Sequence, residues 1–153
     1  MPASDKRPPS LLFDVFVVAS QTGRLVERAL AGSRIPPEEF AIYSVLTHEG
    51  AVTPTELARE LGMARSTLIF RVNRMIDRRH ARRTANPADG RSSLIALTAR
   101  GQRALDEVRE PFREVLVAVH GKLTLPPGKV RAALADLMAA QNAVLEREAV
   151  RRR

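Results

Sequence analysis

The sequence predicts a mainly α-helical fold of the α+β class, with six helices and one β-hairpin set between the fourth and the fifth. Three observations predict it. Apolar residues recur at three- and four-residue steps over most of the chain. Helix-start signals stand at Pro36–Glu39, Thr53–Glu56 and Thr98. One stretch, Asn86–Gly101 (NPADGRSSLIALTARG), opens with turn residues, alternates like a strand and ends on a helix start. The length, 153 residues, fits one domain with a real core, and no interdomain linker or internal repeat divides it. Hydrophobic residues are 44% and aromatics only 4%, so that core is built of Leu, Val, Ala and Ile.

Residues 1–10 (MPASDKRPPS) read as a flexible polar arm. Ser10 is placed to cap a helix from Leu11 to about Ala31. Its first half, LLFDVFVVA, is apolar nearly all round, and such a helix must be buried on every side. In a single chain of this size that points to a partner subunit, with Leu12, Phe13, Phe16 and Val17 at the contact; the alternative is a central core helix. Asp14 breaks the apolar run, no small-residue cleavage site follows it, and no stretch approaches the roughly 18 apolar residues of a spanning helix. The expectation is a soluble, cytoplasmic protein with no membrane partner.

Pro36 and Pro37 reopen the chain, and Glu38 and Glu39 suit the positive end of the helix that runs to about Glu49. Then TPTELARELG begins a short helix with Thr53 as N-cap, Pro54 at the first helical position and Glu56 completing a capping box. Gly62 closes it. After Met63 and Ala64 a second helix starts near Arg65–Ser66 and runs to about Arg79. Leu68, Val72, Met75 and Ile76 are its apolar stripe; the rest of its surface is polar and basic. The hairpin has strands near Ala81–Ala85 and Ser92–Leu97, with Ile95 and Leu97 facing one way and Leu94 and Ala96 the other. Thr98 caps a long helix whose apolar face runs from Leu105 through Val108, Phe112, Val115, Leu116 and Val119 to Leu123, kinked at Pro111. GKLTLPPG breaks the chain before a last helix with Val130, Leu134, Leu137, Met138, Gln141 and Leu145 on one face; Leu134, Leu137 and Leu145 are expected at the subunit contact.

A short capped helix, a tight turn and a second helix with a polar outer face form a helix-turn-helix, whose second helix enters a major groove. Charge agrees with that reading. Between Gly62 and Arg103 stand ten arginines and two aspartates, a surplus of eight that equals the net charge of the whole chain, +8. A surplus confined to one helix and one hairpin is what phosphate binding requires, whereas a surplus for solubility would be spread.

The hairpin after the second helix is then a wing, and here the chain resembles the MarR family of bacterial transcriptional regulators. TELARELGMARSTLIFRVNRM and NPADGRSSLIALTARG carry the resemblance. Asp89-Gly90-Arg91-Ser92 is similar to the family's D-x-R-S wing signature, and Leu97-Thr98-Ala99-Arg100-Gly101 to its L-T-x-x-G helix start. The motifs cover about residues 36–101, and the order of elements extends the likeness over nearly the whole chain. The resemblance implies one domain over 11–153, with a winged helix-turn-helix lobe at 36–101. Residues 11–33 and 104–149 would be dimerisation helices that interleave with those of a second copy. It implies a homodimer on double-stranded DNA, reading a pseudo-palindrome with recognition helices about 34 Å apart. It also implies repression relieved by a small aromatic or amphipathic anion, although no residue here identifies such an effector. Arg91 would enter the minor groove, held by an ion pair from Asp89.

The expected DNA-contacting set is Arg65, Ser66, Thr67, Arg71, Arg74, Arg78, Asp89 and Arg91. Ser66 and Thr67 can also cap their helix. Of Arg82 and Arg83, alternating on a strand, at most one faces DNA. Phe70 either packs inside the lobe, the preferred reading, or touches a thymine methyl. Where the family commonly has a Gly-Leu-Val-like segment this chain has Arg79-His80-Ala81, which leaves the end of the recognition helix open. With no cysteine there are no disulfides, thiolate sites or thiol switches; His48, His80 and His120 lack ligand spacing, so no metal or cofactor is expected. No nucleophile motif, phosphate loop or paired carboxylates suggests an enzyme. The rival reading is an architectural or RNA-associated winged-helix protein without a specific operator.

Overall fold

The computed structural model describes residues 10–151, so the expected arm lies outside it except for Ser10, as do residues 152–153. Helix α1 spans Leu11–Ala29; Ser10 stands at its N-cap with extended backbone, but its side chain makes no capping bond. Ile35 and the two prolines lead into a 3-10 turn, Pro37–Glu39, that feeds α2, Phe40–Glu49. Helix α3 is Pro54–Glu60, and its capping box forms as the sequence requires: Thr53 Oγ1 accepts the Glu56 amide at 3.2 Å, and the Glu56 carboxylate accepts the Thr53 amide at 2.9 Å. Gly62 at φ 58° makes the tight turn into α4, Arg65–Asp77.

Strands β1 (Ala81–Ala85) and β2 (Ser93–Leu97) pair antiparallel with Ala81 opposite Leu97 and Arg83 opposite Ile95. Ile95 is fully buried and also exchanges both backbone hydrogen bonds with Val52, which ties the wing to the loop before α3. The core joins Ile42, Tyr43 and Leu46 of α2, Leu57 of α3, Leu68, Val72 and Met75 of α4, Ile95, and Ala104, Leu105 and Val108 from the start of α5.

Helix α5 is one element, Ala99–His120, unbroken through Pro111. Its apolar face divides. Leu105 and Val108 are in the lobe core and Phe112 stacks on Phe40 at 4.6 Å between ring centroids, whereas Leu116 and Val119 are exposed. Helix α6, Pro127–Arg151, contributes none of the described residues of that core. Among the described residues no helix is long and apolar enough to cross a membrane.

Candidate nucleic-acid interface

Helix α4 presents three different faces, and helical geometry assigns its residues among them at roughly 100° per residue. Leu68, Val72 and Met75 are buried. Directly opposite, Ser66, Phe70, Asn73 and Asp77 form an exposed stripe. Arg71, Arg74 and Arg78 lie on the flank between, turned toward the N-terminal end of α2. There Arg71 Nη1 donates to the Glu38 carbonyl, Arg74 lies 3.7 Å from the Glu38 carboxylate and 3.8 Å from that of Glu39, and Arg78 pairs with Glu39.

Glu39 is fully buried, and burial pushes its carboxyl up despite the pull of Arg78 and Arg74. A buried carboxylate needs a cation, and α4 supplies two. This corrects the expectation for Arg78: it is committed to Glu39 inside the lobe rather than presented outward, and its Nε is buried without a hydrogen-bond partner among the described residues.

The N-terminus of α4 differs from the expectation as well. Ala64 holds the N-cap position, so neither Ser66 nor Thr67 caps the helix. Arg65, Ser66 and Thr67 are all exposed, and the first-turn amides have no side-chain cap. Phe70, preferred inside the lobe by the sequence reading, is 62% exposed, with the Arg74 guanidinium 5.8 Å from its ring centroid.

The other end of α4 settles how the helix stops without glycine. Arg79 takes φ 60°, its amide bonds the Ile76 carbonyl at 2.8 Å, and the His80 amide reaches back to Met75 at 2.8 Å. This is the Schellman pattern, with arginine in the left-handed position that glycine usually fills. His80 is thereby turned inward. It is buried, with Nδ1 2.7 Å from the Tyr43 hydroxyl, and burial together with Arg78, Arg100 and Arg34 holds its imidazole below the usual histidine range.

The wing turn is built by its own side chains. Asn86 Oδ1 accepts the Ala88 amide at 3.0 Å, Asp89 Oδ1 accepts the Arg91 amide at 3.0 Å, and the Asn86 amide group donates to Ser92 Oγ at 2.8 Å. Asp89 therefore orients Arg91 through its backbone. The ion pair implied by the resemblance is not formed, and the Arg91 side chain is exposed at the tip. Arg82 and Arg83 are both exposed on β1, with Arg83 reaching Asn73 Oδ1 at 3.5 Å.

The L-T-A-R-G segment anchors the start of α5 to the end of α4. Thr98 Oγ1 donates to the Arg79 carbonyl at 2.7 Å and accepts the Gly101 amide at 3.1 Å, while the Thr98 amide donates to His80 at 3.0 Å. Gly101 lies so close to the His80 backbone that a Cβ would overlap the carbonyl oxygen and stand 2.9 Å from its carbon.

Of the residues expected at a subunit contact, Leu12, Phe16, Leu134 and Leu145 are 63%, 69%, 45% and 59% exposed, and Phe13, Val17 and Leu137 are half-buried. None belongs to the lobe core. Sequence reasoning missed Glu39, Tyr43 and His80 as a group, because they meet α4 only in space. Spacing alone separates Leu68, Val72 and Met75 from the rest of α4, but that Phe70 stands exposed beside Ser66, Asn73 and Asp77 is seen only in the structure.

Residues 35–92 match the model of the MarR family. Over those residues the lobe is similar to the MarR family. The chain is similar to the Mycobacterium tuberculosis transcriptional regulator MosR in complex with DNA, at 29% identity over 88% of this chain and 98% of that one, with a TM-score of 0.77. It is similar to a probable transcriptional regulator from Pseudomonas aeruginosa, at 25% identity over 84% and 97%, with a TM-score of 0.72. It shares the fold of wild-type MarR from Escherichia coli at 19% identity, with 86% and 98% covered and a TM-score of 0.68. No curated protein sequence matches the chain.

Proposed function

We propose that this chain is a regulator of the MarR family, a sequence-specific, homodimeric repressor whose two winged lobes read a pseudo-palindromic operator. One observation carries the reading. The chain's whole positive surplus falls between Gly62 and Arg103, starting at an α4 N-terminus whose amides lack a side-chain cap and whose Arg65, Ser66 and Thr67 are exposed. Uncapped amides at the positive end of a helix suit a phosphate oxygen, and the neighbouring arginines add charge. Arg65, Ser66 and Thr67 then contact the backbone and the first base edges. Arg71 and Arg74 contact groove-wall phosphates, and Arg91, aimed by Asp89, enters the minor groove. Arg78 is left out of this set. MosR, alike in fold at 29% identity, has been solved in complex with DNA, which supports DNA as the partner.

Residues 36–101 act as the DNA lobe, and 11–33 with 104–149 as the dimer helices, whose exposed apolar side chains call for a second copy. A cleft of about 700 Å³ joins the two parts, lined by Leu12, Leu61, Leu137, Met138 and Leu145. A small amphipathic ligand bound there would favour a lobe spacing that no longer fits the half-sites.

Selection of bound genomic fragments followed by competition tests the proposal. The enriched fragment should outcompete unrelated DNA, and Arg91→Ala should weaken binding and lower the salt slope by about one or less. Equal competition by unrelated DNA would overturn operator specificity and leave an architectural protein.

A further inference from the structure

We propose that Phe70 and Asn73 are the base readers of α4. Phe70 takes the C5-methyl group of a thymine and Asn73 the edge of an adenine, so each half-site carries A·T pairs under the middle of the helix. The inference rests on the DNA-binding reading above and adds which bases the helix selects.

When a helix lies in the major groove, the stripe opposite its buried face meets the base edges and its flanks meet the walls. In α4 that stripe is Ser66, Phe70, Asn73 and Asp77, and the arginines are on a flank held by Glu38 and Glu39. Arginine, the commonest reader of guanine, is thus absent from the centre of the reading face. What stands there is an aromatic ring and a carboxamide.

Phe70 is the one exposed large hydrophobic of the lobe among the described residues; the others lie on α1, on the outer part of α5, on α6 and in the loop between these two. A subunit seam accounts for that group but not for Phe70. The apolar group displayed on base edges in the major groove is the thymine methyl, and covering it removes both surfaces from water. Arg74, 5.8 Å from the ring centroid, steadies the ring from the flank. Asn73 offers one donor and one acceptor in a plane, the pattern that adenine N7 and N6 require. Arg83 reaches its Oδ1 at 3.5 Å and sets the amide orientation. Three residues along a helix rise about 4.5 Å, so the two side chains address neighbouring base pairs. Asp77, one turn further on, ends the stripe with a carboxylate that repels the acceptor-rich purine edge.

The test uses the full chain and its selected fragment, replacing thymines one at a time by deoxyuridine, which removes only the methyl group. One thymine per half-site should lose roughly fourfold in affinity, the factor for one buried methyl. Phe70→Ala should bind the parent fragment more weakly and be indifferent to that replacement. Asn73→Ala should relax the preference for adenine at the neighbouring pair by about tenfold. The inference is overturned if no deoxyuridine costs affinity, if the loss persists undiminished in Phe70→Ala, or if enriched sites lack A·T pairs there. The deoxyuridine scan on wild-type protein depends on no variant. Failure of any fragment to enrich overturns the DNA-reading proposal and this one together; enrichment without a methyl effect overturns this one alone.

Discussion

A single hydrogen atom separates Gly101 from a side chain that the lobe cannot hold. The first turn of α5 is pressed on the His80 carbonyl, and Thr98 binds the carbonyl of Arg79 beside it. Gly101→Ala should therefore cost roughly 3 kcal/mol or more, because the obstacle is backbone and cannot rotate away. Thermal denaturation checks this, and a drop of less than a few degrees would contradict the packing. His80 makes a second residue-level prediction. Its imidazole is held below the usual histidine range, so between that lowered value and about 6.5 the unfolded chain binds more protons than the folded one. Stability from this residue is then complete at neutral pH and declines as pH falls through that window. The stability gap between wild type and His80→Gln should narrow from pH 7 to pH 5, measured by denaturant titration; a constant gap would remove His80 as a titrating group.

At the scale of elements, capping chemistry was legible where it is local. Thr53, Pro54 and Glu56 form their box because all three lie within one turn, and Thr98 caps α5 for the same reason. The end of α4 was not legible. Without glycine the chain still makes a Schellman turn, because burial of His80 against Tyr43 holds Arg79 at φ 60°. That position costs an L-residue about 1 kcal/mol or more. Arg79→Gly should accordingly stabilise the protein by about 0.5–1 kcal/mol, seen as a higher denaturation midpoint with an unchanged slope. A lower midpoint would mean that the Arg79 side chain has a structural role. The faces of α4 were half legible. Spacing separates the buried stripe from the outer one, but it cannot say which arginines are engaged by Glu38 and Glu39.

For the whole molecule, the lobe is closed and the helices outside it are not. Leu11, Leu12, Phe16 and Val18 on α1 and Leu134, Met138 and Leu145 on α6 remain exposed. A run of apolar side chains on two helices is more than a monomer ordinarily shows to water. Phe16→Glu should halve the mass found by light scattering while leaving the lobe folded, since Phe16 is 69% exposed and outside the core. An unchanged mass would refute α1 as part of a seam.

The sequence by itself determined the order of elements, the caps, the wing with its D-G-R-S tip and the concentration of charge between Gly62 and Arg103. Each depends on residues within a turn or a hairpin of one another. Only the tertiary structure decided that Arg78 and Arg74 answer a buried Glu39, that Asp89 aims Arg91 through its amide, and that Phe70 faces out. The first joins residues more than thirty positions apart, the second depends on how the wing turn folds, and the third on whether the lobe has room for the ring. Glu38 and Glu39 engage the flanking arginines, and Phe70 and Asn73 stand on the exposed stripe opposite the buried face.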